Sequence, residues 1–175
     1  MAENALTPDK TINYRVYKDG VNLLGIATVD LPELSFMADT LSGAGIAGEI
    51  ETSVKGQLQA MSATIHWNTV TQENLKLLEL DGAELTFRAS QQYVDQANNR
   101  LIPKGLKIVT KGITKTMGLG TLEVGVKNDS SYEYELTYLK IEMEGKETVE
   151  IDKFNFIFKI DGTDILSDVR TQIGM

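Results

Sequence analysis

Apolar and polar residues alternate with a period of two along most of the chain, which is the spacing of strands buried on one face. Asp19-Gly20 separates two alternating segments, residues 12–16 and 21–31, and predicts a β-hairpin. Residues 84–94 and a return strand through 106–109 predict a longer hairpin with a broad polar tip. Further alternating segments lie at residues 57–67, 122–126 and 132–143. The pattern therefore predicts a protein built from antiparallel strands.

Two helices are predicted among these strands. Thr71 suits the N-cap of a helix over residues 71–80, whose leucines fall on two adjacent stripes. After a turn at Asp161-Gly162, Thr163 or Asp164 is placed to cap a short C-terminal helix. One central helix and one short C-terminal helix beside many strands predict a mainly β fold, an antiparallel sandwich or barrel.

Two irregularities interrupt the strand pattern. The apolar positions change from even to odd numbers near Tyr138-Leu139, which predicts a β-bulge. A continuous strand buried on both faces explains the change equally well. Residues 112–120 hold three glycines, at 112, 118 and 120, and are expected to bend or loop the chain.

The predicted C-terminal strand is rich in aromatic residues. Phe154, Phe156 and Phe158 alternate with other residues on one face, followed by Ile160. Aromatic side chains bury large areas, so we expect this strand to stabilise the core. On that expectation, Phe156→Ala creates a cavity that costs about 3–5 kcal/mol.

Two segments lack the alternation. Residues 1–10 are polar, contain Pro8 and predict a flexible N-terminal arm. Residues 33–55 predict a long loop, and loops of that length in compact domains usually have a function. The loop is rich in apolar residues for a solvated segment, so a partner chain is expected to cover it. Its residues 43–48 match the dinucleotide-binding pattern G-x-G-x-x-G, but no strand–helix unit surrounds them, which favours a flexible or closely packed glycine loop.

Composition limits the possible functions. A chain of 175 residues suits a single domain, residues 1–175. The absence of cysteine excludes disulfides and cysteine-based metal sites. The N-terminus has no signal-peptide pattern, and no run approaches the ~20 apolar residues that span a bilayer, so no membrane anchor is expected. The net charge of −8 disfavours tight binding of nucleic acid.

No group of residues has a spacing typical of catalysis. His66 is the single histidine and is expected at the surface or an interface. The segment 161–164 lacks the ligand spacing of a calcium loop. The glutamates between residues 133 and 150 form either a solvated face or an acidic wall that repels a polyanion. We therefore expect no enzyme activity, no metal and no cofactor.

Several C-terminal features occur together, namely Val149-Glu150-Ile151-Asp152, Asn155, Ile157, Lys159, Asp161-Gly162, Asp164, Leu166, Arg170 and Ile173-Gly174. The Asp19-Gly20 hairpin, the glycine-rich segment 43–48 and a helix after Trp67 precede them in order. With these features the chain resembles the major tail tube proteins of P2-type contractile-tailed phages and of related tail-derived bacteriocins.

The resemblance implies a structural role. It implies a sandwich-like tail tube fold whose inner β-barrel is completed by hexamerisation, with rings stacking into a hollow tube. It implies the tail sheath, baseplate or tube initiator, and tape measure proteins as partners. The tube would serve DNA ejection, with non-specific passage of DNA through the lumen, or puncture of a target. The expected location is a virion tail or tail-like particle that is assembled in the bacterial cytoplasm.

In that light, ten residues are candidates for subunit assembly: Leu41, Gly43, Gly45, Ile46, Gly48, Asp152, Asn155, Lys159, Asp164 and Arg170. The first five belong to the assembly loop 33–55, and the other five are expected to hold subunits in register. The alternative is a monomeric β-sandwich that binds a ligand through exposed aromatics such as Tyr132, Tyr134 and Tyr138.

Overall fold

The computed structural model describes residues 6–23, 25–79 and 82–175. Its strands are β1 Leu6–Lys18, β2 Val21–Leu23, β3 Ile26–Asp30, β4 Phe36–Ser42, β5 Glu49–Leu58, β6 Ser62–Trp67, β7 Ala83–Asp95, β8 Leu101–Gly118, β9 Ser130–Met143, β10 Lys146–Asp152, β11 Ile157–Ile160 and β12 Thr163–Asp164. The helices are α1 Gln72–Leu75, which continues as a 3₁₀ turn at Lys76–Leu78, and α2 Ser167–Ile173.

All strand pairs are antiparallel, which confirms the predicted mainly β class with two short helices. The large sheet has the order β12-β11-β10-β9-β8-β7-β1-β2. Strand β9 is shared, because β8 pairs along one of its edges while β6 and then β10 pair along the other. Strand β3 joins the sheet through β6, so two sheet arms diverge from β9 and enclose the core between them.

The predicted bulge in β9 is confirmed, one residue earlier than expected. Lys111 pairs with Tyr138 and Gly112 pairs with Leu136, so Thr137 has no partner on β8. At the same point β9 changes partner from β6 to β10. Gly112 lies against the bulge, and a Cβ there would clash with the Glu135 carbonyl oxygen. A larger residue therefore has no room at this bend.

Buried residues of β6 and β9 form the centre of the core. Met61, Ala63, Ile65 and Trp67 share the buried face that the alternation predicted. Tyr132 and Tyr134 are completely buried, and the Tyr134 hydroxyl lies 2.9 Å from Thr110 Oγ1. The Tyr132 hydroxyl lies 3.0 Å from Thr114 Oγ1. These hydrogen bonds satisfy the only polar atoms of the two buried rings, as burial requires.

The helix predicted over residues 71–80 is present but short. Thr71 is its N-cap, and Thr71 Oγ1 accepts a hydrogen bond from the Asn74 backbone N–H at 3.3 Å. Leu77 is completely buried, whereas Leu75 and Leu78 are exposed. Residue 80 lies outside the described residues. The Asp19-Gly20 hairpin is confirmed over Val21–Leu23 only, because residues 26–30 pair with β6 and not with β1. The long β7–β8 hairpin is confirmed.

Three predictions about irregular segments are wrong. Residues 6–10 are not a flexible arm but the start of β1, which pairs with β7, and residues 1–5 lie outside the described residues. Residues 33–55 are not a loop, because β4 and β5 pair as a hairpin. Residues 112–118 do not form a loop, because β8 continues to Gly118, although its register shifts at Lys111/Gly112 and Thr114/Thr116. In the last two cases the strands lack a plainly alternating sequence, and the hairpin has no buried face to impose one.

The C-terminal strand is also shorter than predicted. Residues 153–156 form a turn between β10 and β11, and Phe156 has a positive φ of 50°. Phe158 is 5% exposed and belongs to the core, but Phe154 is 73% exposed and Phe156 is only half-buried. The expectation that all three phenylalanines share a buried face is therefore wrong. Helix α2 begins at Ser167 rather than after Asp164, and its N-cap residue Leu166 makes no side-chain cap.

Candidate assembly surfaces

The β4–β5 hairpin forms a two-stranded sheet that is separate from the large sheet. Its base is fixed to the body, since the Phe36 and Phe158 rings lie 5.9 Å apart and Lys153 Nζ donates to the Gln59 carbonyl oxygen at 2.9 Å. Beyond the base both faces are exposed. Isolated two-stranded hairpins are marginally stable in water, so this element needs a further surface to pack on.

The hairpin tip contains the first five candidate residues. Leu41 pairs directly with Ile50 across the two strands, and both side chains are about half exposed, at 51%. Gly43, Gly45 and Gly48 all have positive φ and open space around them, so backbone geometry rather than crowding requires glycine here. Ile46 closes a tight turn by donating its N–H to the Gly43 carbonyl oxygen at 3.1 Å. The segment 43–48 thus joins two antiparallel strands, which is not the strand-to-helix setting that dinucleotide binding requires.

Asp152 and Asn155 shape the turn between β10 and β11. Asp152 Oδ1 accepts hydrogen bonds from the backbone N–H groups of Phe154 and Asn155, both at 3.0 Å. Asp152 Oδ2 accepts a third from the Asn155 side-chain amide at 2.7 Å. This local network holds the turn that presents the Phe154 ring to solvent.

Asp164 and Arg170 join helix α2 to the same turn. Arg170 Nη2 lies 2.5 Å from Asp164 Oδ2, and Arg170 Nη1 donates to the Phe156 carbonyl oxygen at 2.7 Å. Asp164 Oδ1 also accepts from the Leu166 backbone N–H at 3.0 Å. The Arg170 guanidinium is the main reason that the pKa of Asp164 lies below its usual value. The structure therefore brings Asp152, Asn155, Asp164 and Arg170 to one small region of the subunit.

Lys159 lies next to that region on β11, where it pairs with Asp164 of β12, but its side chain binds a different partner. Its ammonium contacts Glu150 Oε2 at 2.6 Å, and Glu150 Oε1 accepts a hydrogen bond from the Tyr138 hydroxyl at 3.0 Å. The ion pair lowers the pKa of Glu150 and raises that of Lys159. Burial, followed by this hydrogen bond, raises the pKa of Tyr138 to about 12. All five C-terminal candidates thus have partners within the subunit, and their role between subunits stays a prediction.

The glutamates between residues 133 and 150 do not form an acidic wall. Lysines face them across the sheet, in the pairs Glu133–Lys115, Glu135–Lys153, Glu142–Lys107, Glu142–Lys140, Glu147–Lys140 and Glu150–Lys159, at 2.6–3.5 Å. Hydrogen bonds from lysine lower the pKa values of Glu133 and Glu142. The hypothesis of a repelling wall over these residues is wrong, because opposite charges alternate on adjacent strands.

The loop between β8 and β9 is a surface that the sequence pattern misassigned. Residues 122–126 were predicted as a strand, but the structure has an irregular segment over residues 119–129. Leu122 is 93% exposed and Val124 is 101% exposed. Their alternation imitates a strand, although neither residue faces a core. The signal that distinguishes them is glycine on both sides, at 120 and 125, each with positive φ.

No metal-binding cluster accompanies these surfaces in the part of the chain that the structure describes. No group of three His, Asp or Glu side chains is placed there to hold a metal ion. His66 Nε2 lies 3.1 Å from Asp30 Oδ2 in a surface pair. Across residues 6–23, 25–79 and 82–175, none of the helices has the length and apolar character needed to cross a bilayer.

Comparison with known proteins agrees with the resemblance seen in the sequence. The model of the family described as phage tail tube protein FII matches residues 8–174. The chain belongs to this family of phage tail tube proteins. It is 28% identical to the tail tube protein of Escherichia phage P2, over 96% of this chain and 98% of that protein. It is 25% identical to the major tail tube protein of Serratia phage KSP20, over 92% of each.

Two solved assemblies contain chains similar to this tail tube family member. One is the extended sheath–tube complex of an extracellular contractile injection system, PVC, at a TM-score of 0.46 and 11% identity, over 75% of this chain and 87% of the other. The second is the baseplate of the anti-feeding prophage, at a TM-score of 0.42 and 11% identity, over 82% and 97%.

The alternative of a ligand-binding module has no support in the structure. It requires exposed aromatics, but Tyr132 and Tyr134 are completely buried and are bonded to core threonines. Tyr138 is half-buried and engages Glu150.

Proposed function

We propose that this chain is the structural subunit of the inner tube of a contractile tail, in which hexameric rings stack into a hollow conduit. The family match over residues 8–174 carries the proposal. The exposed apolar surfaces of the subunit support it, because they require cover that the subunit itself does not supply. The number six follows from the family resemblance.

The β4–β5 hairpin is proposed to pack on the next ring. Its tip is apolar on one face through Leu41 and Ile50, and it projects from a base that Phe36 fixes to the core. Packing on a neighbouring ring stabilises an element that is marginal by itself. Closing the ring also covers free sheet edges, which otherwise invite uncontrolled pairing.

The C-terminal region is proposed to present a shaped contact to a neighbouring subunit. Asp152 and Asn155 fix the turn, while Asp164 and Arg170 fix α2 against it. In this proposal the polar residues act by holding the exposed Phe154 in place. Lys159 acts by holding β11 to β10 through Glu150. The role in subunit register is thus indirect.

The remaining parts of the proposal concern partners and location. A tail tube subunit is a component of the virion tail or of a tail-like particle, and assembly is proposed to take place in the bacterial cytoplasm. The sheath, the tube initiator of the baseplate and the tape measure protein are its proposed partners. The net charge of −8 disfavours phosphate contacts and suits a conduit through which DNA slides. The proposed role is structural and not enzymatic.

Electron microscopy of the purified protein tests the proposal. Concentrated protein, alone or with tube initiator proteins, is expected to form hollow six-fold rings and stacked tubes. Analytical ultracentrifugation of the same samples gives the mass of the ring. A protein that stays monomeric at high concentration, with and without initiator proteins, contradicts the proposed function.

A further inference from the structure

The 119–129 loop is an ordered projection with an apolar tip. Asn128 fixes the base of the loop. Its side-chain amide donates to the Thr121 carbonyl oxygen at 3.0 Å, and its backbone carbonyl oxygen accepts from the Thr121 backbone N–H at 2.8 Å. The Asn128 N–H also donates to the Asn68 carbonyl oxygen at 2.8 Å. Leu122 and Val124 stand at the tip, and both are almost fully exposed. A rigid base that presents apolar side chains to water is typical of a contact surface.

An apolar groove lies elsewhere on the same subunit, between β3 and the inner face of β1, β7 and β8. Its volume is about 250 Å³. Its apolar lining comes mainly from Tyr14, Val29, Leu31, Phe87, Leu106 and Ile108. A smaller apolar cavity, of about 150 Å³, is large enough for benzene, so this groove has room for an aliphatic side chain.

The charges next to the tip and the groove are complementary. Glu123 lies between Leu122 and Val124. Lys104 lies at the edge of the groove, because it pairs with Gln91, which lines the groove, and its ammonium lies 5.0 Å from the centre of the Tyr93 ring. Among the described residues, no carboxylate lies within 4.0 Å of the Lys104 ammonium, the distance limit of a salt bridge. In the same part of the chain, no lysine or arginine nitrogen lies within that distance of the Glu123 carboxylate. A contact that places Leu122 and Val124 in the groove brings these opposite charges to the same rim.

The loop of one subunit does not occupy its own groove, because Leu122 and Val124 are 93% and 101% exposed. A loop tip supplied by another copy would make a head-to-tail contact, of the kind that builds rings and filaments.

We propose that the 119–129 loop of one subunit inserts Leu122 and Val124 into the apolar groove of a neighbouring copy, with Glu123 facing Lys104 at the rim. This inference deepens the proposed tube function and rests on it. It names a second interface, distinct from the β4–β5 hairpin, and its occupant is another copy of this chain.

Disulfide cross-linking tests the contact, because the chain has no cysteine of its own. The double variant Val124→Cys with Ala89→Cys places one thiol on the loop tip and one in the groove. Mild oxidation of its assembled tubes is expected to give a ladder of dimers, trimers and larger species on a non-reducing gel. Each single variant forms no ladder, since a head-to-tail chain needs both thiols. The matched control pairs Val124→Cys with Leu101→Cys, which is exposed on β8 outside the groove and is expected not to form a ladder.

The outcomes separate the contact from the proposed function. Tubes of the double variant that form without a ladder, or a ladder as strong in the Leu101 control, overturn the contact and leave the tube function standing. Absence of rings and tubes in the unmodified protein as well overturns both.

Charge reversal gives a second test that does not depend on the folding of a groove variant. Glu123→Lys changes an exposed residue and is expected to raise the protein concentration needed for tube formation about tenfold. Adding Lys104→Glu to the same chain is expected to restore tube formation at the concentration that the unmodified protein needs. If Glu123→Lys assembles like the unmodified protein, or the double reversal fails to restore assembly while both proteins keep the parent melting temperature, the charge pairing is wrong.

Discussion

At the scale of single residues, the three C-terminal phenylalanines show how much the environment decides. Phe158 lies in the core against Phe36, Phe154 stands in solvent, and Phe156 occupies a turn position with positive φ. The three alternate in sequence as a strand face would. Asp152 interrupts that strand by accepting three hydrogen bonds within the next three residues, so only Phe158 keeps the predicted burial.

Phe158→Ala is expected to reduce the free energy of unfolding by roughly 3–5 kcal/mol, because it leaves a cavity in the core. Phe154→Ala is the matched control and is expected to change it by less than about 0.5 kcal/mol, because that side chain is solvated. Urea unfolding of the dilute, unassembled protein measures both. Equal losses in the two variants contradict this assignment of the core.

The Asp164–Arg170 pair predicts a pH dependence. Because Arg170 lowers the pKa of Asp164 in the folded state, the pair contributes stability above the ordinary aspartate pKa of about 3.9. That contribution is lost as pH falls through the lowered pKa. Asp164→Asn lacks it at every pH. The difference in unfolding free energy between the parent and this variant is thus expected to be constant above roughly pH 5 and to shrink below about pH 4.

Urea unfolding at a series of pH values checks this expectation. Arg170→Lys serves as a second variant, because lysine keeps the charge but does not reach both Asp164 and the Phe156 carbonyl oxygen with a planar fork. If the difference in unfolding free energy between the parent and Asp164→Asn grows on acidification, the pH dependence has the opposite sign to the one expected. That result excludes the ion pair as its source.

At the scale of elements, the β4–β5 hairpin separates folding from assembly. Removing residues 41–48 and replacing Glu49-Ile50 by Asn-Gly closes the still-paired Thr40 and Glu51 with a two-residue turn. The hairpin base and the core remain, so the melting temperature of the unassembled subunit is expected to be unchanged. Ring stacking is expected to fail, because the apolar tip is absent.

Calorimetry and negative-stain microscopy measure these two outcomes side by side. Leu41→Ser with Ile50→Ser keeps the hairpin backbone and removes only the apolar pair, so it is expected to weaken stacking while leaving the fold intact. Loss of the subunit's own unfolding transition in the shortened variant contradicts the separation of the two roles.

At the scale of the whole molecule, apolar surface is distributed over separated projections and grooves. The hairpin, the turn at Phe154 and the 119–129 loop each expose apolar side chains on a well-fixed base. Paired charges cover much of β8–β11 between them. Such a subunit is expected to associate through several small directional contacts, which suits a closed ring that also stacks.

The amino-acid pattern determined the mainly β class, the two helices, the two hairpins and the bulge in β9. It succeeds wherever one face of an element is buried, because burial then imposes alternation, as at Met61, Ala63, Ile65 and Trp67. The family resemblance likewise came from the sequence, mainly from its C-terminal residues. Tertiary structure was needed to show that Asp152, Asn155, Asp164 and Arg170 come together around one turn.

Only the tertiary structure also shows which conformation the outward-facing segments adopt. The β4–β5 hairpin is predicted as a loop, and residues 122–126 of the 119–129 loop are predicted as a strand, because no core of the subunit selects their residues. In the proposed tube, their apolar side chains pack on neighbouring copies. A pattern that records burial within one chain is therefore least informative at the surfaces where this protein is proposed to assemble.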